Sequence, residues 1–253
     1  MNEERQTWLR CYRPRPDASV RLVCFPHAGG SAAFFRPWLR DLPDSVELHA
    51  VQYPGRSDRL DDPPLVHLTG MADRVAVALS SLADRPVVLF GHSLGAAVAF
   101  ETARRVRMRS GPRIDRLVVS GRAGPEHPGE HHLGPDEELW DELRRLGGTD
   151  AQLWELEELR ALVLPALRAD YRMSETYVAA PEPVLDCPVL ACTGDDDPEV
   201  ALDDLTGWGK FTTAEFAVRE FAGDHFYLIP GQRRLVAELV RVLGVDRGWP
   251  SMP

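Results

Sequence analysis

Apolar positions along this chain fall into two kinds of pattern. Short blocks rich in apolar residues occur at residues 20–25, 46–51, 87–90, 113–120 (with Leu117-Val118-Val119 at its centre), 188–193 and 214–221. Blocks of this length read as strands, and the one at 87–90 as a buried strand. Residues 8–12 read as a further, short edge strand. Between the blocks, apolar residues recur at helical spacing. Residues 71–82 place Val75, Leu79 and Leu82 on one face, and residues 233–243 form a final amphipathic helix. Shorter helices are expected at 32–39 and 202–209, and a long one follows residue 93. Strands alternating with helices predict an α/β fold with a mostly parallel sheet covered on both faces.

The rhythm breaks after Gly121. Residues 123–186 hold no strand pattern but three helical ones, at 137–146, 151–159 and 160–177, with a kink expected at Pro165. Connections in an α/β sheet are usually short or a single crossover helix. So long an insertion at one edge of the sheet is expected to be a helical lid, residues 123–186, within a single domain spanning 1–253. Residues 246–253 read as a flexible tail.

The stretch Gly91-His92-Ser93-Leu94-Gly95 lies between an apolar strand and a helix. Gly-x-Ser-x-Gly in that context is the nucleophile elbow of α/β-hydrolases, a tight turn that lifts a serine hydroxyl clear of the sheet. Small flanking residues are needed where backbones pass closely. The elbow sets the search for partners, which follow in the order Ser, acid, His. Of the downstream histidines, His127, His131 and His132 lie in the insertion, whereas His225 follows a strand end. His225 is therefore the expected base. Asp195, Asp196 and Asp197 follow the preceding strand. Asp197 is favoured, with Asp196 next, because Pro198 pushes it toward an extended conformation and out of any following helix. The amides of Leu94, after the nucleophile, and of Ala28, in the His27-Ala28-Gly29-Gly30 loop, are the expected oxyanion donors. His92 is read as shaping the elbow and pointing away from Ser93.

Charge and composition narrow the partners. A net charge of -10 argues against nucleic acid, whose phosphates need a basic face. No apolar run reaches the ~18 residues of a membrane span, and residues 1–5 lack a signal-peptide core, so the expectation is a cytoplasmic protein. Cys11, Cys24, Cys187 and Cys192 show no paired spacing and are expected to be free thiols. No metal-ligand spacing and no phosphate-binding glycine loop is present, so neither metal nor cofactor is expected. Arg104, Arg105, Arg107 and Arg109 are read as charges near a helix C-terminus.

Six stretches in order resemble the type II thioesterases that act beside polyketide and nonribosomal peptide synthetases. They are Phe25-Pro26-His27-Ala28-Gly29-Gly30-Ser31, Gln52-Tyr53-Pro54-Gly55-Arg56, the elbow, Leu167-Arg168-Ala169-Asp170-Tyr171, Gly194-Asp195-Asp196-Asp197-Pro198 and Gly223-Asp224-His225-Phe226. The resemblance implies an α/β-hydrolase fold and a Ser93-Asp197-His225 triad with Ala28 and Leu94 as oxyanion donors. It implies hydrolysis of acyl thioesters on the phosphopantetheine arm of acyl or peptidyl carrier proteins, by a protein expected to be monomeric. The segment 57–63 is only loosely similar, and the stretch 125–159 has little to anchor it. The alternatives are a carboxylesterase for small oxygen esters and a non-catalytic carrier-binding module on the same fold.

Overall fold

The computed structural model describes residues 2–109, 111–147, 157–182 and 184–244. Its strands are β1 (Leu9–Arg10), β2 (Val20–Phe25), β3 (Val46–Val51), β4 (Val87–His92), β5 (Ile114–Ser120), β6 (Val189–Gly194) and β7 (Phe216–Phe221). They form one sheet in the order β1-β3-β2-β4-β5-β6-β7. All neighbours run parallel except β1, which is antiparallel to β3. The helices are α1 (Asn2–Trp8), α2 (Leu68–Leu79), α3 (Leu94–Met108), α4 (Asp136–Leu146), α5 (Glu157–Glu175) and α6 (Gln232–Leu243).

Every residue of β2, β3, β4 and β6 is buried, as strands covered on both faces require, and Arg21, Glu47 and His49 are buried among the apolar residues of β2 and β3. Successive side chains enter opposite cores. Val23, Phe25 and Leu89 pack with Val75, Leu79 and Phe100 from α2 and α3. Leu22, Cys24, Val88 and Phe90 pack on the other face with Phe35, Trp38, Leu235 and Leu239. Phe35 and Trp38 belong to a 3-10 segment, Ala32–Arg40, with Pro37 inside it. All four cysteines are free thiols.

The sheet order reverses at β2, whose two neighbours are β3 and β4. In parallel α/β sheets, ligands bind outside the strand carboxyl ends at such a switch point. The Ala28 loop leaves the end of β2 and Ser93 leaves the end of β4, so both candidate elements open onto one crevice.

Two expectations change at the edges. Residues 8–12 do not form a strand throughout: α1 runs to Trp8, and only Leu9 and Arg10 pair with β3. Pro14 and Pro16 cannot donate to a ladder, and the Arg15 amide goes to the Glu47 side chain instead. The helix expected at 71–82 begins three residues earlier and ends in a 3-10 turn, Ser80–Leu82.

Between β5 and β6 the described residues hold α4, α5 and a 3-10 turn, His131–Leu133, and no named strand. Leu139, Trp140 and Leu143 of α4 pack on Leu164 and Leu167 of α5 in a small core of their own. Helix α5 continues through Pro165. The helical pattern at 151–159 lies mostly outside the described residues, and Leu159 belongs to α5 rather than to a separate helix. The expected tail, 246–253, also lies outside them.

Candidate active site

Ser93 is the residue between β4 and α3, with φ 53° and ψ -120°. A non-glycine residue at positive φ is strained and persists only where its surroundings hold it. The holding comes from close backbone passage on both sides. A Cβ on Gly91 would lie 2.1 Å from the Gly95 carbonyl oxygen, and one on Gly95 would lie 2.2 Å from that of Phe25. The Ser93 amide donates to the Ser120 carbonyl at 2.8 Å, fixing the turn to β5.

His225 follows β7 and is 2 % exposed. Its Nδ1 faces the Asp197 carboxylate at 3.1 Å and 3.0 Å from Oδ1 and Oδ2. Asp197 is fixed in turn: Oδ1 accepts the Glu199 amide at 2.9 Å, and Oδ2 accepts the Thr193 hydroxyl at 3.4 Å. Asp195 and Asp196 are exposed, and Asp195 Oδ1 accepts the Gly223 amide. Asp224 turns to its own loop and accepts the Phe226 amide. Of the four neighbouring carboxylates, Asp197 is the one on the imidazole.

Ser93, Leu94, Ala28 and His225 line one pocket, with Leu143, Leu146 and Tyr171 contributed by α4 and α5. The free space is small, about 50 Å³. Among the described residues the Ser93 hydroxyl holds no hydrogen bond, as is common before substrate draws such contacts together. With Nδ1 committed to Asp197, Nε2 is the ring atom left for a proton from Ser93. In the loop after β2, the Gly29 amide donates to Asp170 and the Gly30 amide to the His27 carbonyl. The Ala28 amide has no acceptor among the described residues. The Leu94 amide opens α3, where the first N–H groups have no intrahelical partner.

Two further imidazoles surround His225. His92 lies with its ring centroid 4.9 Å from that of His225, and its Nδ1 meets the Ser120 hydroxyl, which in turn meets the Tyr227 hydroxyl at 2.7 Å. His27 packs edge-on against Phe34 and Phe226. Burial holds both below the usual histidine range, His27 at about 3, with the His225 charge adding to the effect. Both are thus neutral near pH 7 and place no positive charge beside a protonated His225. The sequence reading assigned His92 a shaping role and gave His27 none. His127 and His131 line the same pocket. His131 and His132 both meet the buried Glu175 through Nδ1.

The arginine run is spent inside the chain. Arg104 and Arg105 pair with Glu101, Arg107 with Asp186 and Arg109 with Asp73. Elsewhere the fold gathers donors of Cys11, Glu47 and His49 within 4.8 Å of one another. Glu47 is already engaged there by Arg21, the Arg15 amide and His49. No helix among the described residues is long and apolar enough to cross a membrane.

Comparison with known proteins places the chain in a family. The model of the thioesterase domain family matches residues 20–243. Thioesterase PikA5 of Streptomyces venezuelae is 42% identical over 254 residues, covering 99% of this chain and 90% of that protein. The type II thioesterase BorB from the borrelidin biosynthetic cluster superposes with a TM-score of 0.86 at 42% identity, over 94% of this chain and 98% of that one. RedJ, a thioesterase of the prodiginine biosynthetic pathway in Streptomyces coelicolor, superposes with a TM-score of 0.82 at 39% identity, over 89% and 86% of the two chains. This chain belongs to the thioesterase domain family and carries its α/β-hydrolase fold.

Proposed function

We propose that this protein is an editing thioesterase that hydrolyses acyl groups from the phosphopantetheine arm of acyl or peptidyl carrier proteins, with Ser93, His225 and Asp197 as its triad. The observation that carries the reading is the two-oxygen contact of Asp197 with His225 Nδ1, at the rim of the pocket that Ser93 lines. Relatives from the borrelidin biosynthetic cluster and the prodiginine biosynthetic pathway support the substrate class.

The steps are those of a serine hydrolase with these residues in the triad roles. Asp197 holds Nδ1 protonated, so Nε2 of His225 takes the proton of Ser93 as its oxygen attacks the thioester carbonyl. Negative charge on the carbonyl oxygen is met by the amides of Ala28 and Leu94. The intermediate collapses as the C–S bond breaks, and the imidazolium returns its proton to the departing thiolate. A thiolate, with a thiol pKa of about 8.5, needs less of that help than an alkoxide. Water, deprotonated by the same Nε2, then attacks the acyl-serine and the proton goes back to Ser93. Helices α4 and α5 serve as the lid, part of the one domain, beneath which the arm enters. The protein acts as a monomer in the cytoplasm, where carrier proteins are loaded.

The test is mass spectrometry of an acyl-loaded carrier incubated with wild type and with Ser93→Ala. Wild type alone should unload it, at a rate above that on a matched aryl oxygen ester. Equal unloading by both proteins would remove Ser93 from the mechanism. Preference for the oxygen ester would replace the thioester reading.

A further inference from the structure

Two of the stretches that carry the family resemblance have no part in the triad: Gln52-Tyr53-Pro54-Gly55-Arg56 and Leu167-Arg168-Ala169-Asp170-Tyr171. The fold brings them together over the Ala28 loop. Arg56 meets both oxygens of Asp170, at 2.6 Å and 2.9 Å, and the two residues are 8 % and 1 % exposed. The same Asp170 carboxylate accepts the Gly29 amide at 2.8 Å, and the same Arg56 guanidinium donates to the Gly30 carbonyl at 3.2 Å. The rest of the first stretch grips the loop on either side. The Tyr53 hydroxyl donates to the Pro26 carbonyl at 3.2 Å, and Gln52 Oε1 accepts the Ala32 amide at 3.2 Å.

We propose that Arg56 and Asp170 are a positioning pair that fixes the amide of Ala28 toward the reacting carbonyl and ties that amide to the seating of helix α5. The inference rests on Ala28 being an oxyanion donor. Three arguments carry it. First, the amide next to Ala28 is bonded to a charged, fully desolvated acceptor. Hydrogen bonds to an ionised group are shorter and stronger than neutral ones, so the peptide plane beside Ala28 is held stiffly. Second, a buried ion pair is a poor stability device, because desolvation offsets most of its attraction and an apolar pair of similar volume is often as stable. A two-pronged pair spent on the backbone of a four-residue loop therefore points to geometry rather than to stability. Third, α5 carries both halves of the lid connection. Leu167 packs in the small core with α4, and its Cδ1 lies 3.3 Å from where a Gly29 Cβ would be, one turn from Asp170. Displacing α5 would pull the acceptor from Gly29, so the oxyanion site is complete only when the lid helix is seated.

The experiment compares two charge-neutral double variants with wild type. Arg56→Met/Asp170→Leu removes the pair and the acceptor for Gly29. Arg56→Met/Asp170→Asn removes the charges but returns an oxygen to Gly29. Each is assayed on an acyl-N-acetylcysteamine thioester for kcat and KM, and with a fluorophosphonate for the rate of labelling at Ser93. The leucine variant should lose about 10- to 100-fold in kcat and in labelling rate, with KM nearly unchanged. The asparagine variant should recover most of that loss. Equal rates in the two variants, wild-type rates in the leucine variant, or a loss confined to KM would each overturn the proposal. If leucine prevents folding, Arg56→Met/Asp170→Ala removes the same acceptor without bulk and is read the same way. Labelling does not depend on the substrate. Wild type that labels at Ser93 but cleaves no thioester would thus defeat the proposed function, while the labelling rates still decide the role of the pair.

Discussion

Asp197 presents both carboxylate oxygens to His225 Nδ1, 3.0 and 3.1 Å away, from a side chain that water does not reach. A buried acceptor so placed selects the tautomer with its free lone pair on Nε2 and stabilises the ring once it is protonated. Asp197→Asn keeps the shape but offers the ring an amide. It should lower kcat about 10³- to 10⁴-fold with little change in KM. Asp196→Asn, two atoms of backbone away on an exposed turn, should stay within about twofold of wild type, because surface substitutions of this kind are nearly neutral. Steady-state kinetics on one thioester check both.

The elbow predicts a severe structural penalty at a single methyl group. A Cβ on Gly95 meets the Phe25 carbonyl oxygen at 2.2 Å, with the Pro26 carbonyl oxygen at 2.6 Å. Neither atom belongs to a side chain that can swing away, so β2 and α3 must separate. Gly95→Ala should cost about 3 kcal/mol or more, within the range of severe overpacking, and should abolish activity with it. Chemical denaturation of the variant beside wild type measures the loss.

The parts of the site that follow from local chain chemistry were legible in the sequence. The elbow glycines, the strand before Ser93 and the position of Asp197 ahead of Pro198 each depend on neighbours within a few residues. The structure places Asp197 and His225 in contact because β6 and β7 are adjacent and parallel. What the sequence could not give depends on contacts across the fold. Arg56 and Asp170 lie 114 positions apart, and nothing in either stretch names the other. His27 looks like an ordinary loop histidine until Phe34 and Phe226 close around it. The apolar pattern of residues 8–12 reads as a strand, yet helix α1 runs to Trp8 and only Leu9 and Arg10 pair with β3, a boundary set by contacts that the pattern does not carry.

Glu47 is engaged by the Arg15 amide, Arg21 and His49, and acid weakens that cluster. Burial alone would raise its carboxyl, but the Arg15 amide, the His49 ring and Arg21 outweigh burial and hold it at about 2, against 4.5 for a free glutamate. The folded value lies below the unfolded one. Glu47 therefore stabilises the fold above about pH 4.5, and this contribution fades as the pH falls toward 2. Glu47→Gln should be less stable than wild type at pH 7, and the gap should narrow as the pH falls between 5 and 2. Melting temperatures across that range test it; parallel curves for the two proteins would show that Glu47 titrates alike in both states.

Acyl preference should respond to Leu143, in the apolar part of the pocket wall. It belongs to the α4–α5 core and also lines the pocket beside Ser93. The free space there is about 50 Å³, and Leu143 takes up part of its wall. Leu143→Ala removes the bulk of a leucine from that wall at a stability cost of about 2–5 kcal/mol if the neighbours do not collapse inward. One methylene of fit is worth about 1–3 kcal/mol in discrimination. The variant should therefore raise kcat/KM for hexanoyl relative to acetyl thioesters by about tenfold. Asp141→Ala, on the exposed side of the same helix, should leave that ratio unchanged. An unchanged hexanoyl-to-acetyl ratio in a folded Leu143→Ala protein would mean that the acyl chain leaves Ser93 by another wall of the crevice.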